Sequence, residues 1–200
     1  MKLFDVFPLV SFLILLLMIT GRIIFLKKKN VPISSKSKKS VFVRFFLYPF
    51  FLLVFHLLIF ELNKPAFQIS FSVLPALISE SLFDSIFLKI SGTVLIAISL
   101  GFMGFTLHCF NKSLRFGMDP NNLGELITTG IFSVSRNPFF VSIELYFVGI
   151  ALLIPNLFFI AIVLSTIISI HLFILKEEKF LKKNYNKAYK NYSKKVRRYF

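Results

Sequence analysis

The residues whose types and spacing offer chemistry lie in two short stretches of the last third of the chain. The first, LITTGIFSVSRNPFF over 126–140, brings Arg136, Asn137 and Pro138 to the mouth of an apolar segment. The second opens on Glu177 and Glu178 and continues as EEKFLKKNYNKAYKNYSKKVRRY, a basic tail with spaced tyrosines. Between them run two apolar segments, 138–154 and 157–175, parted only by Pro155 and Asn156. Such a short connection forces a tight antiparallel hairpin, which returns 173–178 to the neighbourhood of 136–140. The resulting cluster joins one guanidinium, one amide, two carboxylates and several aromatic rings beside lipid, where polar groups are costly and a functional reading is the default. Carboxylates hold ammonium groups, and Arg takes a carboxylate in bidentate fashion. Phe132, Phe139 and Phe140 offer faces to a flat heterocycle or a cation.

The elements that must position this cluster are membrane helices. The chain has 200 residues, 56% of them hydrophobic, with 28 Phe and only 16% charged. Its apolar runs are near the 20 residues that a hydrocarbon core about 30 Å thick asks of a helix. The fold class is therefore all-α: an integral membrane protein of about five transmembrane helices, ending in a helical hairpin and an amphipathic cytoplasmic tail helix. Spans are expected at about 3–26, 41–62, 86–110, 138–154 and 157–175, with an exterior loop and short interfacial helix over 63–85. Lys27, Lys28 and Lys29 follow the first run as a stop-transfer signal, so it reads as a retained span rather than a signal peptide. Gly92, Gly101 and Gly104 give the third span a small-residue face for close packing. Tyr185, Tyr189 and Tyr192 share one face of the tail helix, where they read as interfacial anchors.

Net charge +15 raises nucleic acid as a partner, and the placement of the charges argues against it. Of 24 Lys and Arg, eight lie within 22–44, three within 112–136 and ten within 176–198. With alternating spans these groups share one side, which the positive-inside rule makes cytoplasmic. The N-terminus is then outside, the C-terminus cytoplasmic, and the basic tail faces anionic lipid headgroups. Cys109, the sole cysteine, makes no internal disulfide, and the three histidines lack the spacing of a metal site. Neither a glycine-rich dinucleotide turn nor a P-loop is present, so any nucleoside-bearing cofactor must bind between helices and loops.

A ligand with an amino acid head, a positive centre and an adenine suits the cluster, and S-adenosylmethionine is such a ligand. The two stretches together resemble the isoprenylcysteine carboxyl methyltransferase and phospholipid methyltransferase superfamily. That pattern has a Thr-Gly-aromatic turn, an Arg-His/Asn-Pro-x-Tyr motif, and later a Glu pair before spaced tyrosines. The likeness covers mainly residues 113–198, including Ser113-Leu-Arg-Phe-Gly117. It implies that Leu126 and Ile127 meet the cofactor through their backbone and that Phe132 packs near its adenosine. It also implies that Arg136, Asn137, Pro138 and Phe140 close the pocket, and that Glu177 and Glu178 hold the methionine end. Asn137 stands where the family more often has His, and Phe140 where it has Tyr. Phe173 stands where the prenylcysteine enzymes place a carboxylate-binding Arg, which argues against a prenylcysteine acid as acceptor. On this division residues 1–110 supply the N-terminal spans, and 111–200 the methyltransferase-like cofactor-binding region.

The reaction so implied is direct displacement at a sulfonium methyl by a lipidic or apolar acceptor arriving sideways from the bilayer. A carboxylate acceptor needs no general base, whereas an amine must lose a proton; His108, Glu144 and His171 are the available groups. Two alternatives compete. One is a membrane sterol or enone reductase using NADPH, against which the acidic pair argues by repelling a phosphorylated dinucleotide. The other is a non-catalytic small transporter or assembly protein, in which these charges only anchor helices.

Overall fold

The structure, a computed structural model, describes residues 3–29, 43–110 and 125–200. The expected basic loop over 30–40 and the turn-rich stretch 111–124, with its family-like 113–117, lie outside the described residues. Six α-helices appear among the described residues: α1 (Leu3–Lys28), α2 (Tyr48–Phe67), α3 (Ala76–Ser79), α4 (Ile86–Phe110), α5 (Pro138–Leu153) and α6 (Leu157–Lys195). A π-helical turn, Val43–Leu47, leads into α2, and a 3-10 turn, Gly130–Ser133, precedes α5. Helix is what these sequences must form in lipid, where each backbone N–H and C=O needs a partner within its own segment.

Four helices are long and apolar enough to cross a membrane: Leu3–Lys28, Phe45–Phe67, Ile86–Phe110 and Leu157–Lys195. The chain is thus an all-α, multi-pass integral membrane protein. The fifth expected span, α5, has 16 residues. At 1.5 Å per residue it reaches about 24 Å, and it is the most enclosed helix, with Phe139, Val141, Tyr146, Ile150 and Leu153 all buried. Short length and enclosure belong together, because a helix wrapped by its neighbours need not match the bilayer alone.

Close approach of α4 and α5 sets the level of the cluster at the mouth of α5. A Cβ at Gly92 would sit 2.7 Å from the Gly149 carbonyl oxygen, and one at Gly149 would sit 2.6 Å from Ile96. Only glycine fits at either point. Beyond that crossing, Ser99 Oγ donates to the Ser142 carbonyl at 2.7 Å, a buried inter-helix bond of the kind that fixes register in membranes. Gly101 faces open space and takes no part in the expected packing face, whereas Gly104 lies against Met18 of α1. At the opposite end, Asn156 caps α6 by accepting from Phe159 N at 2.9 Å and donates to the Ser79 carbonyl at 3.2 Å. The short helix α3 is thereby tied to the hairpin turn.

The tail departs from expectation. Instead of starting a separate surface helix after Leu175, the helix of the span runs on to Tyr185, and a second helical segment joins it across Asn186 and ends at Lys195. Lys, Glu, Leu and Ala are good helix formers, and no Gly or Pro interrupts the run. The axis bends at Asn186, which holds φ 44° and ψ −115°. That bend turns Tyr189 and Tyr192 inward, where they are 2% and 8% exposed. They are core residues packed on Ile131 and Phe132, not interfacial anchors.

Candidate functional site

The 3-10 turn before α5 begins at Gly130, whose φ of +62° and close approach to Cys109 Sγ both require glycine. Cys109 is half-buried there. The turn buries Phe132, whose ring meets Phe110 at 4.9 Å between centroids. Tyr192 Oη donates to the Phe132 carbonyl at 2.6 Å, so the bent end of α6 clamps the turn from the other side. Leu126, Ile127, Leu181 and Tyr185 pack around the same cluster. Hence Leu126, Ile127 and Phe132 do converge, on the rings of Tyr189 and Tyr192.

Next to this apolar floor lies the charged group. Arg136 Nη2 pairs with Glu178 Oε1 at 2.7 Å. Arg198 grips the same carboxylate with both arms, Nε to Oε1 at 3.1 Å and Nη2 to Oε2 at 2.8 Å. Two guanidiniums therefore enclose Glu178, and its hydrogen bond raises Arg198 further above its ordinary value. Arg136 also donates Nη1 to the Ser193 carbonyl at 3.3 Å, while its buried Nε has no partner among the described residues. Its guanidinium carbon stands 6.0 Å from the Tyr189 ring.

Glu177, one residue earlier, lacks the partners that hold Glu178. It is half-buried, and no hydrogen bond or ion pair engages it among the described residues. Burial first, and then the charge of Glu178, push its carboxyl up to about 7. Tyr189 responds to the whole group: burial, Glu178 and Glu177 lift its phenol, Arg136 and Arg198 pull it back, and the balance is about 12.

Residues 196–200 fold back to close the cluster. Arg136 N donates to the Arg197 carbonyl at 3.1 Å, and Asn137 Nδ2 donates to the Arg198 carbonyl at 3.1 Å. Asn137 is thus the residue that docks this strap onto the mouth of α5, and Pro138 starts the helix without needing an N–H partner. Phe140 leans towards α6, its ring 5.4 Å from Phe173. Phe139 is instead buried between Phe110 and Phe140, so it serves the core and not a ligand face.

Of the proton-handling candidates, two are drawn together and one is not. His171 Nδ1 lies 2.7 Å from Tyr199 Oη. Glu144 has no hydrogen-bond or ion-pair partner among the described residues, yet its charge acts on Tyr199. His108 is exposed on α4 with no partner among the described residues.

The sequence reading placed Arg136 and the acidic pair at opposite parts of one guest; in the structure Arg136 bonds Glu178 directly. The basic tail, Arg198 included, was also expected to face lipid headgroups. One signal distinguished Arg198: the tail uses Lys throughout 176–195 and then changes to Arg197 and Arg198. Arg is the residue suited to bidentate capture of a carboxylate.

Compared with known proteins, residues 86–188 match the model of a family described as phospholipid methyltransferase. The match takes in α4, the 3-10 turn, α5 and α6 past the bend. No curated protein matches the chain, and no solved structure does either.

Proposed function

The chain belongs to the phospholipid methyltransferase family and is a membrane methyltransferase, and from that premise we propose that S-adenosylmethionine donates the methyl group and a lipidic or apolar molecule accepts it. The observation that carries this reading is the division of labour between the two adjacent carboxylates. Glu178 is fully engaged by Arg136 and Arg198. Glu177 stands beside it with no partner among the described residues.

The free groups at this site fit the cofactor. A half-buried carboxylate without a partner suits the ammonium and sulfonium charges, and the orphaned Nε–H of Arg136 suits the carboxylate of the same amino acid head. Leu126 and Ile127 offer backbone groups at the edge of the floor, Phe132 is buried within that floor with Tyr189 and Tyr192, beneath the place for an adenosine, and Asn137, Pro138 and Phe140 shape the rim. When bound, the cofactor supplies an electrophilic methyl on a positively charged sulfur. The protein's part is to hold that methyl in line with an acceptor, an alignment worth about 7–11 kcal/mol in well-oriented reactions.

On the same reading the basic groups face the cytoplasm, where the cofactor is made, with the N-terminus outside. Lysines along the second half of α6 lie against anionic headgroups. A reporter fused after Phe200 then reports a cytoplasmic position, and an exterior signal would refute this orientation. The function itself is tested by incubating membranes that contain the protein with methyl-labelled cofactor and identifying the labelled lipid by mass. Label in a lipid that protein-free membranes do not produce is expected; an unlabelled lipid extract counts against methyl transfer.

A further inference from the structure

Outside the charged cluster, one pair of titratable side chains has a defined geometry that cofactor binding leaves unused. Tyr199 Oη lies 2.7 Å from His171 Nδ1, and the two rings stack with centroids 6.2 Å apart and planes 25° from parallel. His171 sits two turns before Glu178 on α6, so the two share a face about 10 Å apart along the axis. Tyr199 directly follows Arg198, whose guanidinium is fixed on Glu178. The pair is thus rigidly placed relative to the methyl-donor site and displaced from it towards the apolar span, the direction from which a lipidic acceptor arrives.

We propose that Tyr199 and His171 take the proton released by the methyl acceptor, with Tyr199 Oη meeting the acceptor's X–H group. This rests on the methyl-transfer reading above. The acceptor's proton passes to Tyr199 Oη while the tyrosine's own hydrogen passes to His171 Nδ1. The pair of electrons left on X forms the new bond to the methyl carbon, and the carbon–sulfur bond breaks with its electrons going to sulfur. One positive charge leaves the sulfonium and one appears on the His171 imidazolium, so charge and atoms balance. The charged groups facing Tyr199 are Glu144 of α5, Glu178 of α6 and its neighbour Arg198. Glu178 is already balanced by Arg136 and Arg198, so the carboxylate that favours a cation at this spot is Glu144, which has no ion-pair partner of its own among the described residues. The acceptor class that uses such a pair is a heteroatom carrying a proton; a carboxylate would leave it idle.

The competing explanation is that the pair only clips strap 196–200 to α6. The full chain in detergent separates the two, using total lipid from the expressing membranes as acceptor and methyl-labelled cofactor as donor. Tyr199→Phe and His171→Gln are expected to bind the cofactor within about twofold of the unaltered protein by calorimetry. They should label lipid at least about 100-fold more slowly, the scale of a lost general base. In Tyr199→Phe the rate should climb with pH, as solvent takes over the proton, and added imidazole should restore His171→Ala. A Tyr199→Phe protein that labels lipid at the unaltered rate overturns the proposal. So does one slowed equally at every pH together with weakened cofactor binding, the signature of a clip. If the unaltered protein binds no cofactor, the methyl-transfer reading falls and takes this proposal with it.

Discussion

Arg136 Nη2 and Glu178 Oε1 meet at 2.7 Å, joining the mouth of α5 to the second half of α6. Arg198 closes on the other oxygen, so a single carboxylate holds the hairpin and the strap at once. Glu178→Gln leaves two guanidiniums facing a neutral amide. The expected cost is about 1–3 kcal/mol, below that of a fully buried pair because Arg198 is a third exposed. A lower melting temperature in detergent is the readout. Glu177→Gln removes no partner, and its melting temperature should match or exceed that of the unaltered protein.

Acidity offers a second check on the same carboxylates. Glu177 lies beyond the apolar run that ends at Leu175, and burial and Glu178 raise it to about 7 from an ordinary 4.5. The folded ligand-free protein therefore holds a proton there that the unfolded chain releases between about 4.5 and 7. Its stability should fall as pH rises through that window. Binding of a cationic cofactor needs the ionised form, so affinity should move the opposite way, rising to a plateau above about pH 7. Melting and calorimetric titrations between pH 5 and 8.5 measure both slopes. Affinity independent of pH across this range would deny Glu177 the role of counter-charge.

The helix crossing that levels the site makes its own prediction. Valine at Gly92 would drive a methyl-bearing carbon into the Gly149 carbonyl, where even a Cβ sits at 2.7 Å. Overpacking of this kind costs about 1–3 kcal/mol, and it acts on backbone, which cannot yield by rotating. Gly92→Val should therefore lower the yield of monodisperse protein and its melting temperature. Gly101→Ala, placed in open space, should change stability by no more than about 0.5 kcal/mol. Equal behaviour of the two variants would mean that α4 and α5 do not cross at this point.

Much of this fold was legible in the sequence because lipid leaves few choices. The limits of α4 coincide with the apolar run over 86–110, and Pro138 and the Pro155-Asn156 break mark α5 on both sides. The polar motif and the Glu pair were legible as neighbours through the hairpin, and the family likeness held. What stayed hidden depends on tertiary partners. A lysine-rich run after Leu175 reads as a surface helix whether or not its axis continues from the span, and nothing local announces the bend at Asn186. Tyr189 and Tyr192 have the spacing of one helical face, but spacing does not say whether that face meets headgroups or Phe132. The pairing of Glu178 with Arg198 needs a chain reversal after Lys195 that no sequence motif encodes.

The account rests on Glu177 being the group that meets a positively charged cofactor, and calorimetry of S-adenosylmethionine against the purified protein at pH 8 tests this most directly. Saturable binding is predicted for the unaltered protein. Affinity should drop about tenfold or more in Glu177→Gln, the loss of one charge-assisted bond. No heat with the unaltered protein, or equal affinity in the variant, would contradict the account, and heat with NADPH in place of S-adenosylmethionine would point to reduction instead.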